Sequence, residues 1–201
     1  MKHMLDLYAG LGGASESMIQ NGWSVLRIDN NILLQNVENM FIADIPTMNI
    51  FKKPLTIPQQ KIDLVWASPP CVEFSLGYSS PRSQAIRNGE GDTYQPDMTH
   101  VLASMQIIDA INPRYWVIEN VRGATKYFNP ILGEPRQTFG NAIMLWGNFP
   151  LIQPGSFKTK EENDVWSNDP LRANKKAVIP YEISEALRLA IEQQTSILDY
   201  V

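Results

Sequence analysis

The sequence predicts an α/β fold built on a doubly wound, mostly parallel sheet. Short apolar runs alternate with segments of helical periodicity, and this alternation is typical of parallel sheets covered by helices on both faces. The run KIDLVWAS at 61–68 is nearly continuous in apolar residues, as expected for a strand buried on both sides. In such sheets, ligands bind beyond the carboxyl ends of the strands.

The individual elements follow in chain order. MLDLYAG predicts a strand at about 4–8, and GGASESMIQNG predicts a helix that stops at Gly22. WSVLRID predicts a second strand, and NNILLQNVENM at 30–40 predicts a helix after an asparagine cap. Later elements are a helix at 96–111, strands at 114–121 and 141–147, and a final helix at 180–194. Two long loops, 72–95 and 147–178, have a length that indicates a functional role or disorder.

Composition narrows the class of protein. A chain of 201 residues with 44% hydrophobic residues predicts one globular domain over 1–201. One cysteine, no long apolar run and no signal-peptide pattern predict a cytoplasmic protein with no membrane association. The net charge of −4 argues against a general nucleic-acid coat, although it permits a local basic face. No metal site is predicted.

Two motifs near the N-terminus indicate a nucleoside ligand. In DLYAGLGG, the glycines let the backbone approach a ligand at the start of a helix, although one glycine would suffice for an ordinary turn. Asp29 ends the second predicted strand about 20 residues later, where a carboxylate accepts hydrogen bonds from a ribose. The alternative for Asp29 is a helix cap. Asp44 could reach an adenine edge, and a turn-forming role is nearly as plausible.

Two further motifs carry reactive side chains. In SPPC, the prolines form a rigid elbow that presents Cys71 to the crevice, whereas a lone cysteine is commonly a small buried hydrophobe. In WVIENV, Glu119 ends an apolar strand, where burial raises the pKa of a carboxyl and favours the protonated form. A structural ion pair of Glu119 with Arg122 is the alternative.

Together these motifs resemble the cytosine-5 DNA methyltransferases. DLYAGLGG resembles that family's cofactor loop, SPPCVEFS its nucleophile motif with Val72 in place of the usual Gln, and ENV its glutamate motif. AVIPYEISEALRLAIE resembles the last motif. The resemblance implies the class I S-adenosylmethionine-dependent methyltransferase fold of Rossmann-like type.

The resemblance also implies the reaction and its site. Cys71 would add to C6 of a flipped-out cytosine in DNA, and C5 would take the methyl group of S-adenosylmethionine, leaving S-adenosylhomocysteine. The implied catalytic residues are Cys71, Glu119 and Arg136. The implied cofactor contacts are Asp6, Tyr8, Gly10, Gly12, Gly13, Asp29, Asn30, Asp44, Ile45 and Pro69. The implied nucleic-acid contacts are Ser75, Arg82, Arg87, Asn120 and Arg122.

The chain departs from the family pattern in three places. The family's Gln-x-Arg-x-Arg motif is absent, so that either Arg136 substitutes for its arginine or base binding is altered. KKAVIP lacks the asparagine of the last motif. A short irregular insertion at about 147–178 stands where relatives carry a target-recognition domain, which predicts relaxed recognition or help from a homo-oligomer or an accessory protein. Compact members of this kind resemble phage or prophage enzymes, which predicts a prokaryotic or phage-infected cell.

Three alternatives stay open. The first is an RNA cytosine-5 methyltransferase, and the second is a non-catalytic relic that binds cofactor or DNA. The retained Cys71 and Glu119 argue against the relic, because a pure binder needs neither. The third is an amino-methyltransferase, which is the weakest because that class typically follows the prolines with an aromatic residue.

Overall fold

Seven strands form one sheet in the part of the chain that the computed structural model describes, which is residues 1–48, 61–140, 142–158 and 168–194. The strands are β1 (His3–Leu7), β2 (Ser24–Asp29), β3 (Met40–Ile42), β4 (Leu64–Ala67), β5 (Tyr115–Asn120), β6 (Gln137–Phe139) and β7 (Ile143–Asn148). Their order across the sheet is β3-β2-β1-β4-β5-β7-β6.

The sheet is parallel except around β7. Strands β1 to β5 pair in parallel, whereas β7 runs antiparallel to both β5 and β6. The predicted doubly wound, mostly parallel sheet of the class I S-adenosylmethionine-dependent methyltransferase type is confirmed. The strand order reverses between β1 and β4, and at such a switch point the loops diverge and leave a crevice beyond the carboxyl ends.

Helices cover both faces of the sheet. They are α1 (Glu16–Gln20), α2 (Pro81–Arg87), α3 (Thr99–Ile111), α4 (Thr125–Leu132), α5 (Arg172–Lys176) and α6 (Tyr181–Gln193). One core lies under α1 and α6 and includes Met18, Trp66 and Leu187. The other lies under α3 and α4 and includes Val65 and Phe128. All four residues of β4 are buried, which agrees with its continuous apolar run.

The predicted helix at 30–40 is wrong. The segment forms only a 3₁₀ turn, Ile32–Leu34, before β3 begins at Met40. Ile32 and Leu33 are about half exposed, so no apolar face exists to stabilise a longer helix. Asn39 adopts a left-handed φ of 58°, which breaks helical geometry immediately before the strand.

Other differences lie in the connections. The predicted loop 72–95 contains α2, and the predicted insertion 147–178 contains α5. Helix α4 was not predicted, because Pro130 lies inside it and Gly133 ends it. The part of the insertion at 159–167 lies outside the described residues. No helix among the described residues is long and apolar enough to cross a membrane.

Candidate active site

The chain leaves β1 through a turn that requires glycine. Gly10 and Gly12 have φ values of 53° and 83°, in the left-handed region that glycine enters without a Cβ clash. A Cβ on Gly12 would lie 2.3 Å from the Cζ atom of Arg27, and a Cβ on Gly13 would lie 2.4 Å from the carbonyl oxygen of Ile179. Glycine at these two positions therefore allows close packing against Arg27 and against the segment that precedes α6.

A buried arginine supports the glycine turn from below. Arg27 is 2% exposed and donates to the carbonyl oxygen of Gly12 at 2.9 Å and to the hydroxyl of Ser15 at 2.8 Å. Its guanidinium also forms an ion pair with Glu16 at 2.9 Å. These contacts fix the turn to β2, and sequence reasoning missed Arg27 because its partners come from a different element.

Asp6 is hydrogen-bonded to Ser15, which Arg27 also contacts. The hydroxyl of Ser15 donates to its Oδ2 atom at 2.6 Å, and Oδ1 has no partner among the described residues. Burial raises the pKa of Asp6 to about 6, against the opposing effects of the Ser15 hydrogen bond and the charge of Arg27. Asp6 is 1% exposed, and its implied cofactor contact stays a prediction.

Asp29 joins the ends of β1 and β2. Its two carboxylate oxygens accept from the backbone N–H of Gly10 and of Asn31, each at 2.9 Å. It therefore shapes the glycine turn and the following 3₁₀ turn at once. Each carboxylate oxygen still has lone pairs for another donor, so a ribose hydroxyl could bind here as well.

A residue that sequence reasoning missed reaches the same turn. Asn174 of α5 accepts a hydrogen bond from the side chain of Asn31 at 3.2 Å through its Oδ1 atom. Its Nδ2 atom lies 3.6 Å from the place that a Cβ on Gly10 would occupy. Asn174 stands three residues before AVIP, so its amide reaches the glycine turn although the last motif itself lacks an asparagine.

The other implied cofactor contacts surround this turn. Tyr8 has a left-handed φ of 57°, and its hydroxyl donates to the carbonyl oxygen of His100 at 3.0 Å. Asp44 follows β3 and makes no capping bond with its side chain, whereas Ile45 is buried. Asn30 is exposed after β2. Tyr8, Asp44 and Asn30 thus lie at the carboxyl ends of adjacent strands.

The SPPC elbow is clamped to the end of β5. The amide of Asn120 donates to the carbonyl oxygen of Pro69 at 2.9 Å and accepts from the N–H of Val121 at 2.9 Å. Asn120 is 1% exposed and holds the elbow in place, while its predicted contact with nucleic acid stays a prediction. The carbonyl of Cys71 accepts from Phe74 and Ser75, while the cysteine itself is exposed.

The pKa values of Glu119 and Cys71 are both raised, and the charge of Glu119 contributes to the rise at Cys71. Burial raises the pKa of Glu119 to about 7, and a hydrogen bond from Ser68 opposes that rise. Desolvation raises the pKa of the Cys71 thiol, and the nearby charge of Glu119 raises it further. Protonation of Glu119 therefore makes it easier for Cys71 to ionise.

Arg82, an implied nucleic-acid contact after the cysteine, is occupied within the protein. Arg82 donates to the carbonyl oxygens of Phe74 at 3.1 Å and Gly123 at 2.7 Å, and so joins the loop to the turn after β5. Arg82 thus has a structural role through its Nη1 atom, and its predicted phosphate contact stays a prediction. Arg87 is exposed, donates to the carbonyl oxygen of Tyr78 at 2.9 Å and lies over its ring.

Ser75 and Arg122 complete the implied nucleic-acid contacts. The hydroxyl of Ser75 accepts from the N–H of Gly77 at 3.0 Å, and its carbonyl accepts from Ser80 at 2.7 Å. Arg122 is exposed at the start of the turn after β5. Arg87 and Arg122 are thus the implied contacts that present an exposed cationic side chain.

Arg136 points away from the Cys71–Glu119 pair. Its Nε atom donates to the carbonyl oxygen of Phe149 at 2.5 Å, and its guanidinium lies over the ring of Phe149. Phe149 comes directly after Asn148, which pairs with Trp116 near the amino end of β5. The contacts that the structure gives Arg136 are with Phe149, and its predicted catalytic role stays a prediction.

Comparisons with solved structures give distant similarities. The chain is similar to a prophage-encoded protein of E. coli assigned as a DNA modification methyltransferase, at 16% identity and a TM-score of 0.46, over 73% of this chain and 46% of that chain. It is similar to an Entamoeba histolytica methyltransferase at 16% identity and a TM-score of 0.49, over 74% and 53%. Spodoptera frugiperda DNMT2 shows 18% identity and a TM-score of 0.45, over 74% and 50%. The chain spans about half the length of these three proteins.

The comparison with family models gives a match where the comparison with curated proteins does not. A search of curated proteins gives no significant match. The model of one family, described as C-5 cytosine-specific DNA methylase, matches residues 2–134, which is about two thirds of the chain. The matched region contains the glycine turn, Asp29, the SPPC elbow and Glu119. The chain belongs to the C-5 cytosine-specific DNA methylase family.

Proposed function

We propose that the protein methylates C5 of cytosine in DNA through a covalent bond between the Cys71 sulfur and C6 of an extruded base. The observation that supports this most directly is the placement of Cys71 beside Glu119, close enough for the charge on Glu119 to raise the pKa of the thiol. Cys71 follows β4 and Glu119 lies near the carboxyl end of the neighbouring β5, while the glycine turn follows β1 on the other side of β4.

The described residues fit the family's methyl donor, S-adenosylmethionine. When bound, it supplies an electrophilic methyl group. Asp29 and Asp44 offer carboxylate lone pairs for ribose hydroxyls and the adenine amine, and Gly10 offers backbone without a side chain. Tyr8 and Asn174 border the same turn.

Cys71 and Glu119 divide the first step between them. The thiolate of Cys71 forms a bond to C6, and the displaced electron pair moves into the ring as Glu119 gives its proton to N3. The resulting enamine makes C5 nucleophilic toward the methyl group that S-adenosylmethionine would supply, and the methyl–sulfur bond would break to leave S-adenosylhomocysteine. A water or another base then removes the C5 proton, the Sγ–C6 bond breaks, and N3 returns its proton to Glu119.

Protonated Glu119 serves this chemistry in a second way. The pKa of free Cys71 is raised, which disfavours the thiolate before substrate binds. A neutral Glu119 removes the negative charge that opposes ionisation of the thiol. Protonation of Glu119 therefore supplies the proton donor and also makes the Cys71 thiol easier to ionise.

The substrate must leave the helical stack to reach this site, because C5 and C6 are inaccessible in a duplex. The exposed Arg87 and Arg122 are proposed to contact phosphates on either side of the crevice. We propose a single catalytic domain whose short segment at 147–178 contributes limited sequence recognition. An oligomer or an accessory protein would supply the remaining contacts.

Covalent trapping tests this function. The protein is incubated with S-adenosylmethionine and oligonucleotides that contain 5-fluorocytosine, in parallel DNA and RNA arms, and the products are resolved under denaturing conditions. Fluorine at C5 blocks removal of the C5 substituent, so a stable adduct of the protein with DNA is expected. Cys71→Ser should abolish the adduct, and Ser79→Ala, at an exposed position of the same loop, is the control.

The other outcomes select the other functions. An adduct with RNA alone would replace the DNA proposal with an RNA cytosine-5 methyltransferase. Failure to form an adduct with either polymer, while calorimetry shows that S-adenosylmethionine binds, would indicate a cofactor-binding relic. An adduct that persists in Cys71→Ser would exclude Cys71 as the nucleophile.

A further inference from the structure

A carboxylate just after Cys71 joins the two ends of the loop that follows the nucleophile. Glu73 stands two residues after Cys71, and the hydroxyl of Tyr94 donates to its Oε2 atom at 2.5 Å from 21 positions further along the chain. The backbone N–H of Asp97 donates to the same oxygen at 3.4 Å. The chain between these residues, which includes α2, therefore leaves and returns at one point.

Glu73 belongs to the turn that begins at the nucleophile. The carbonyl oxygen of Cys71 accepts from the N–H of Phe74 at 3.0 Å and from the N–H of Ser75 at 2.9 Å. Phe74 is 1% exposed, and its ring lies edge-on to that of Phe128 with 4.9 Å between centroids. Because Glu73 lies inside this turn, a change in the position of Glu73 also moves Cys71.

The other end of the Glu73 contact leads to the start of α3. The Oδ1 atom of Asp97 accepts from the N–H of Thr99, the first residue of that helix, at 2.8 Å. The carbonyl oxygen of the next residue, His100, accepts from the hydroxyl of Tyr8, and the two rings meet edge to face with 5.4 Å between centroids. The start of α3 thus contacts both the nucleophile segment and the residue that precedes the glycine turn.

We propose that Glu73 is a positioning residue that holds Cys71 in place against the start of α3, with Tyr94 as its partner. On the preceding side of the cysteine, Asn120 already fixes the carbonyl of Pro69. Glu73 supplies the tie on the following side. Small displacements of a reacting group lower reaction rates strongly, so the second tie has a catalytic consequence. That consequence rests on the proposed function, whereas the tie itself can be tested without nucleic acid.

The first measurement is the rate at which Cys71 reacts with the neutral disulfide 4,4′-dithiodipyridine. Cys71 is the only cysteine of the chain, so the reaction reports on this thiol alone. Tyr94→Phe and Glu73→Ala release the loop end and should raise the rate about threefold or more, because a looser segment exposes the thiol more often. Glu73→Gln keeps an acceptor oxygen for Tyr94 and should stay within about twofold of wild type.

The control for the first measurement is Asp92→Asn, which removes a negative charge at an exposed position of the same loop and should leave the rate unchanged. Circular dichroism verifies that each variant is folded. Wild-type rates in folded Tyr94→Phe and Glu73→Ala would overturn the proposal. A rate in Glu73→Gln as high as in Glu73→Ala would overturn it too, because charge rather than the hydrogen bond would then be responsible.

The second measurement is the rate of adduct formation on 5-fluorocytosine DNA as a function of DNA concentration. Tyr94→Phe should lower the rate at saturating DNA about tenfold, with the half-saturating concentration within about twofold of wild type. Glu73→Ala combined with Tyr94→Phe should be no slower than the slower single variant, because both remove one interaction. A bond that only stabilised the fold of the loop would leave the saturated rate unchanged, and that result, or additive losses, would refute positioning.

The two measurements separate this inference from the proposed function. Faster labelling of Tyr94→Phe in a protein whose wild type forms no adduct would support the tie and reject the proposed function. Adduct formation by wild type, with labelling and saturated rates that Tyr94→Phe leaves unchanged, would support the function and reject the role of Glu73.

Discussion

Replacing Glu119 by glutamine should stabilise the protein, and the gain should grow with pH. The carboxyl group has a pKa of about 7 in the folded chain against an ordinary value of 4.5, chiefly because of burial. Below pH 4.5, both the folded and the unfolded states hold the proton, so the raised pKa does not lower the free energy of unfolding. Between pH 4.5 and 7, the unfolded state releases its proton first, so stability is lost as the pH rises.

The size of the effect follows from the pKa difference. A rise from 4.5 to about 7 corresponds to about 3 kcal/mol at 1.36 kcal/mol per pH unit. Partial contact with water reduces the expected gain for Glu119→Gln to about 1–3 kcal/mol at pH 8. Glutamine keeps an oxygen that accepts from Ser68, so the variant removes the charge while retaining this hydrogen bond.

Urea unfolding followed by tryptophan fluorescence measures the effect. The free energy of unfolding of both proteins is determined between pH 5 and pH 8 from the linear dependence on urea. Glu90→Gln, at an exposed position after α2, controls for removal of one negative charge. The reasoning is refuted if Glu119→Gln gives the same difference from wild type at pH 5 and pH 8, or is the less stable protein at pH 8.

Three further predictions follow from the site. Adduct formation requires protonated Glu119 and ionised Cys71. Its rate should therefore rise with pH to about 7, level off, and fall above the raised pKa of Cys71. A continuous rise in the rate through pH 10 would exclude this pair of protonation states. Asn174→Ala should weaken S-adenosylmethionine binding about fivefold by calorimetry, whereas the exposed Asn88→Ala should not, and equal affinities would remove Asn174 from the site. Gly12→Ala should cost about 2–4 kcal/mol of unfolding free energy, because its Cβ would strike a buried side chain. Gly22→Ala, with a similar φ but open space, should cost about 1 kcal/mol, and equal losses would refute the steric argument.

The sequence by itself determined the sheet and the positions where chemistry occurs. Alternating apolar segments specify buried parallel strands, and parallel strands bring their carboxyl ends to one edge. Residues at or shortly after the carboxyl ends of those strands, among them Asp29, Glu119 and Cys71, therefore lie along that edge. The glycine turn is equally local, since its left-handed φ values demand glycine.

Only the tertiary structure decided what each side chain contacts there. The sequence around Asn120 and Arg136 does not show that their side chains hydrogen-bond the carbonyl oxygens of Pro69 and Phe149. Asn174 reaches Asn31 from 143 positions away in the chain. Hydrogen-bond partners are set by distances between separate elements, which no local pattern encodes. For the same reason, the closeness of the segment after β4 to Glu119 becomes visible only when β4 lies beside β5.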